Sequence, residues 1–145
     1  MRIQKAELRD LPALAVLASE LWPGHRPEEM ELEMGSILRK PDAACFLLLE
    51  GDSAAGFAQC QLRHDYVEGT DSSPVGYLEG IYVAPEYRRR GFAGELLCAC
   101  ENWAREQDCC EFASDCELTN SDSLRFHLHM GFGEANRIIC FAKKL

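Results

Sequence analysis

Between Leu78 and Ala104 an apolar strand, a basic turn containing a glycine and an apolar-striped helix follow one another without a break, and this junction limits the folds open to the chain. Leu78 to Val83 reads as a buried strand, Arg88-Arg89-Arg90-Gly91-Phe92-Ala93 as the turn, and Ala93, Leu96, Leu97, Cys100 and Ala104 as one face of a helix ending near Asp108. A strand that turns directly into a helix start leaves several backbone N–H groups unpaired and aimed one way. Together with the positive end of the helix dipole and the arginines, they form a receptor for a pyrophosphate.

The rest of the chain alternates strands and helices around that junction. Ile3 to Ala6 predicts a short strand, followed by a helix with Asp10 as N-cap, Pro12 in its first turn and Leu11, Leu14, Leu17, Ala18 and Leu21 as its stripe. Trp22-Pro23-Gly24-His25 breaks it, and Pro27 starts a second helix whose first turn is acidic. Ala44 to Glu50 and Ala54 to Arg63 predict a hairpin across Gly51-Asp52-Ser53; a polar loop, His64 to Pro74, leads to the strand Gly76 to Val83. Cys110 to Ser114 predicts a short strand, Ser121 to Met130 a helix closed by Gly131, and Ile138 to Lys143 a last strand. With 145 residues and no repeats or linkers, the expectation is one domain, residues 1–145, of α/β (α+β) class around one mixed sheet.

Composition narrows the partners. A net charge of −9 disfavours nucleic acid, which needs basic excess, and suits a cationic ligand. No apolar run approaches the roughly 20 residues needed to span a bilayer, and the N-terminal residues turn polar at once, so a cytoplasmic protein without a membrane partner is expected. The eight cysteines lie mostly in apolar segments and lack zinc spacing; they read as reduced core thiols, with no metal.

Two motifs identify a superfamily. Arg88-x-x-Gly91-x-Ala93 after a central strand, then Asn120-x-x-Ser123-x-x-x-His127 followed by Gly131-Phe132, resembles the GCN5-related N-acetyltransferases (GNAT). The resemblance implies the GNAT fold: a central mixed, mostly antiparallel sheet flanked by helices on both faces. It also implies acetyl-CoA as cosubstrate. Its pantetheine arm would run along Ile81, Tyr82 and Val83, and its pyrophosphate would sit on Arg89, Arg90, Gly91, Phe92, Ala93 and Gly94, with Asn120 bonding near the arm.

Leu21-Trp22-Pro23-Gly24-His25, the His64 to Val75 loop, Leu78-Glu79-Gly80-Ile81 and Ala113-Ser114-Asp115 together resemble the aminoglycoside 6'-N-acetyltransferases. The implied activity is acetyl transfer to the 6'-amine of an aminoglycoside antibiotic, conferring resistance, by an enzyme that is typically a homodimer. Residues matching Trp22, His25, Tyr66, Glu79 and Asp115 hold the drug in that family; a further Glu of the family's site is Asn136 here.

The chemistry fits those side chains. An alkylammonium with a pKa near 10 is free amine on the order of a thousandth of the time at pH 7. Transfer therefore needs a proton acceptor, and Glu79 and Asp115 are the candidate catalytic carboxylates, placed at strand ends around the expected cleft. Which of them takes the proton is open from sequence. His127 stands where many relatives carry a tyrosine that protonates the thiolate; on its helix stripe it reads first as a packing residue. Other readings of the same residues are acetylation of another polyamine, an amino acid or a protein N-terminus, or a non-catalytic acetyl-CoA sensor, against which the acidic pair argues.

Overall fold

The computed structural model describes residues 1–145. Strands β1 (Arg2–Lys5), β2 (Ala43–Glu50), β3 (Ser53–Arg63), β4 (Val75–Val83) and β5 (Phe112–Ser114) form one sheet in the order β1-β2-β3-β4-β5. Three pairings are antiparallel; only β4 and β5 run parallel, joined by the crossover through α3 (Phe92–Glu106). This is the expected mixed, mostly antiparallel sheet.

Strand alternation divides the core into two layers. Cys45, Leu47 and Phe57 face α1 (Leu11–Leu21) and α2 (Pro27–Leu38), packing on Leu14, Leu17, Ala18, Met30 and Met34. Ala44, Phe46, Leu48, Ala58 and Cys60 face the other way, against Leu96, Leu97, Cys100 and Trp103 of α3. Helix α4 (Ser121–His129) joins that second layer through Phe126. With β2 buried on both faces, its unbroken apolar run has a partner at every position.

Only four of the eight cysteines are core thiols, Cys45, Cys60, Cys100 and Cys109, while Cys98, Cys110, Cys116 and Cys140 are exposed; burial pushes the Cys45 thiol up to about 12. At pH 7 it packs as a neutral hydrophobe.

One local expectation needs refining and one needs correction. Asp10 stands at the N-cap position of α1 as expected, but its carboxylate does not bond into that helix: it accepts Glu7 N at 2.8 Å and closes the 3-10 turn that precedes it. Helix α2 opens on Pro27 as expected, with Glu29 reaching back to accept from Arg26 N. The expected strand Ile138–Lys143 is not formed; residues 133–145 contain no regular element. A strand requires a hydrogen-bonded neighbour, and residues 138–143 make no backbone hydrogen bond to another segment. Ile139 and Phe141 stand 81% and 91% exposed.

Candidate functional site

The site grows from an irregularity in β4. On one side Leu78 pairs with Cys60 of β3 and Gly80 with Gln59, so Glu79 is an extra residue, a β-bulge. On the other side β4 pairs with β5 only over Gly76 to Leu78, and the two strands part from Glu79 onward. The bulge and the split coincide. Residues Ile81 to Val83 therefore keep β3 as a neighbour on one edge and have none from β5 on the other.

Beyond the split the basic turn takes the form expected of an anion receptor. Arg89 and Gly91 adopt positive φ (61° and 85°), and Gly91 begins α3 with no side-chain cap. From Arg89 on, Glu95 N is the first amide to find a backbone carbonyl, Gly91 O at 3.2 Å. The amides of Phe92, Ala93 and Gly94 thus project from the helix start. Arg88 braces the turn, its Nε donating to Val83 O at 2.7 Å, while Arg90 lies over the rings of Tyr87 and Phe92. Asn120 caps α4, accepting Ser123 N at 3.1 Å through Oδ1, which leaves its amide to donate elsewhere.

On the α1/α2 face of the sheet the acidic residues come together. Gly80 matters through its missing side chain: a Cβ there would stand 2.5 Å from the Trp22 ring. Trp22 lies on that spot, edge-on to Phe57 at 6.0 Å. Trp22, His25, Met30, Glu33, Gln59 and Glu79 line a cavity of about 280 Å³.

Glu79 is not free. Arg63, at the end of β3, grips it with Nη2 at 2.9 Å from Oε1 and 3.0 Å from Oε2, and Nε at 3.1 Å from Oε1. The guanidinium also lies 3.4 Å above the Tyr77 ring. The Tyr77 hydroxyl in turn donates to Asp115 Oδ2. Burial, and then the hydrogen bond to Asp115, hold the Tyr77 phenol well above its ordinary range, so it remains a donor. Arg63 and Tyr77 thereby join the two carboxylates singled out in the sequence into one network.

The remaining predicted residues occupy a second cluster. Tyr66 is 79% exposed, its hydroxyl donating to Glu68 Oε2 at 3.2 Å. Asn136 Nδ2 donates to Glu68 Oε1 at 2.9 Å. Glu68 therefore places a carboxylate between these two residues.

His127 is held at both nitrogens. Nδ1 lies 2.7 Å from Ser123 O, which only accepts, so Nδ1 donates there, and Nε2 shares a hydrogen bond with Ser114 Oγ at 2.8 Å. Phe126 and Phe132 pack on its ring at 5.6 and 5.1 Å. It anchors the end of β5 beside Asp115.

Sequence reading missed Arg63, Tyr77 and Gln59. Tyr77, two residues before Glu79 in an alternating strand, was the one with a readable signal; the others depend on strand register.

A sheet split at a bulge, with a capless helix start at one end and paired acids at the other, is the arrangement of an acyl-CoA-dependent transferase. The sequence model of the acetyltransferase (GNAT) family matches residues 11–132, and the chain belongs to that family. Along its length it is similar to aminoglycoside N(6')-acetyltransferases type 1. The Serratia marcescens protein is 42% identical over 94% of both chains, and that of Acinetobacter haemolyticus is 37% identical over 100% of this chain and 99% of the relative. Among solved structures, aminoglycoside N-acetyltransferase AAC(6')-Iy in complex with CoA superposes with a TM-score of 0.96 at 38% identity, covering 99% of this chain and 95% of that one. The same enzyme in complex with a bisubstrate analog, CoA-S-monomethyl-acetylneamine, gives a TM-score of 0.95 over 99% and 98%.

Proposed function

We propose that the protein transfers the acetyl group of acetyl-CoA to the 6'-amine of aminoglycoside antibiotics, conferring resistance, by direct attack in a ternary complex. The observation that carries this reading is the coincidence at one point of β4 of a strand split leading to unpaired amides and a bulge presenting an acid. The α3 amides take the pyrophosphate, and the open edge of Ile81 to Val83 takes the pantetheine, extending the sheet where β5 has left it. The cationic sugar approaches from the Trp22 side.

The two acids divide the work. Arg63 engages both oxygens of Glu79, whereas Tyr77 engages only Oδ2 of Asp115. Asp115 is therefore the better proton acceptor, directly or through water, and Glu79 the fixed anionic anchor. The amine nitrogen bonds to the thioester carbon and gives up its proton towards Asp115. The C–S bond then breaks, and coenzyme A leaves as a thiolate, a fair leaving group given a thiol pKa near 8.5. Tyr66, Glu68 and Asn136 supply a further acidic contact for the outer part of the drug.

The exposed tail and the single-sided β5 support a homodimer, since a second copy would cover both. A second cavity of about 270 Å³, lined by Phe112, Met130 and Phe132 among others, adjoins that edge. An acetyl-CoA substrate and eight unpaired cysteines suit the cytoplasm, and no helix is long and apolar enough to cross a membrane.

The test is thiol release from acetyl-CoA against aminoglycosides, polyamines and peptides. Drugs with a 6'-amine should turn over and those with a 6'-hydroxyl should not. Equal rates on both would remove the regiochemistry; no rate on any would leave only acetyl-CoA binding.

A further inference from the structure

One polar group in the core has no use in the fold. Gln59 is 6% exposed, the only polar residue among the buried ones, and its Oε1 is the one buried side-chain N or O atom without a hydrogen-bond partner. Its neighbours in the alternation are apolar: Phe57, two residues earlier on the same face of β3, is fully buried. A Leu or Met at position 59 would continue that packing without stranding a carboxamide.

The position explains what the carboxamide faces. Gln59 pairs with Gly80, the residue after the bulge, and lines the cavity with Trp22, His25, Met30, Glu33 and Glu79. Glu33 and Glu79 can only accept hydrogen bonds when ionised, so the walls favour a ligand rich in donors. At about 280 Å³ the space lies just below the range for a whole drug-sized ligand and suits a single saturated ring. Charged donors on that ring go to the carboxylates. A neutral carboxamide beside them is left to read the uncharged donors, the ring hydroxyls.

We propose that Gln59 is a specificity-determining substrate contact: its carboxamide oxygen, closed off in the free protein, turns into the cavity on binding and accepts a hydrogen bond from a hydroxyl of the amino-sugar ring that carries the reacting amine. This rests on the aminoglycoside reading above. Binding satisfies a group that the free protein leaves unpaired, and a ring lacking the hydroxyl leaves it unpaired in the complex as well.

Kinetics with two drugs tests it: one carrying hydroxyls beside the aminomethyl carbon, and its analogue with those hydroxyls replaced by hydrogen. The wild-type KM should be about tenfold lower for the hydroxylated drug. In Gln59→Leu that ratio should fall to near one, through a rise in KM for the hydroxylated drug, with kcat for both within a few-fold of wild type. Melting temperature and calorimetric affinity for coenzyme A should be unchanged or better in this variant, which separates lost recognition from lost folding. Gln59→Glu, an acceptor of the same length, should restore part of the ratio. The same ratio in Gln59→Leu as in wild type would overturn the proposal while leaving acetyl transfer intact. No turnover of either drug by wild type would overturn both readings.

Discussion

Arg63 and Tyr77 show how side chains outside the proposed catalytic pair can set the geometry of that pair. A guanidinium with both oxygens of Glu79 in its fork fixes that carboxylate's direction as well as its charge. Tyr77 supports the guanidinium with its ring and Asp115 with its hydroxyl. Tyr77→Phe should keep the first contact and lose the second, lowering kcat by about tenfold with little change in coenzyme A affinity. Steady-state kinetics and calorimetry check it. The pH dependence follows from the raised phenol: its contribution to stability is complete below the ordinary tyrosine value near 10 and is lost only as pH rises through the higher folded-state value. The stability gap between wild type and Tyr77→Phe should therefore be flat from pH 7 to 9 and close only in stronger alkali, as chemical denaturation at each pH would show.

At the scale of elements, the loop between β3 and β4 carries Tyr66 and Glu68, and it is pinned rather than free. Val67 packs with Val75 and Tyr77, and the Glu111 carboxylate, at the foot of β5, accepts Asp71 N at 2.9 Å and the Ser72 hydroxyl. The Ser72 hydrogen bond, with the Asp71 amide, holds Glu111 below the usual carboxylate range. Its anchoring is thus full above the ordinary value and is lost as pH falls through the depressed folded value. Glu111→Gln should make amide exchange across residues 66–72 faster at pH 7, and acidification below about pH 4 should do the same to wild type. Unchanged exchange in the variant would show that the valines alone hold the loop.

How much of this was legible in the sequence depended on range. Helices α1 to α4 follow from local stripes, and the α3 start follows from one glycine in a basic turn. Glu79 and Asp115, which Arg63 and Tyr77 join, were singled out through their motifs. Arg63, by contrast, is 16 residues from Glu79, and their meeting depends on the β3–β4 register and on a bulge that shifts it. The tail misled for the opposite reason: Ile138 to Phe141 has strand composition, but pairing is decided by a neighbour that composition does not reveal.

For the whole molecule, the exposed tail bears on the proposed homodimer. Phe141→Asp should leave the fold intact and convert a dimer to a monomer in sedimentation velocity. A monomeric wild type would assign the exposed apolar residues to another partner.

The split between β4 and β5 has a kinetic corollary. Helix α3 guards one side of the sheet and Trp22 the other. In the proposed ternary complex, nucleotide and sugar would reach their meeting point through separate doorways, and neither would have to depart before its counterpart arrives. Both can be aboard at once, so no acetylated side chain need ever carry the cargo between visits.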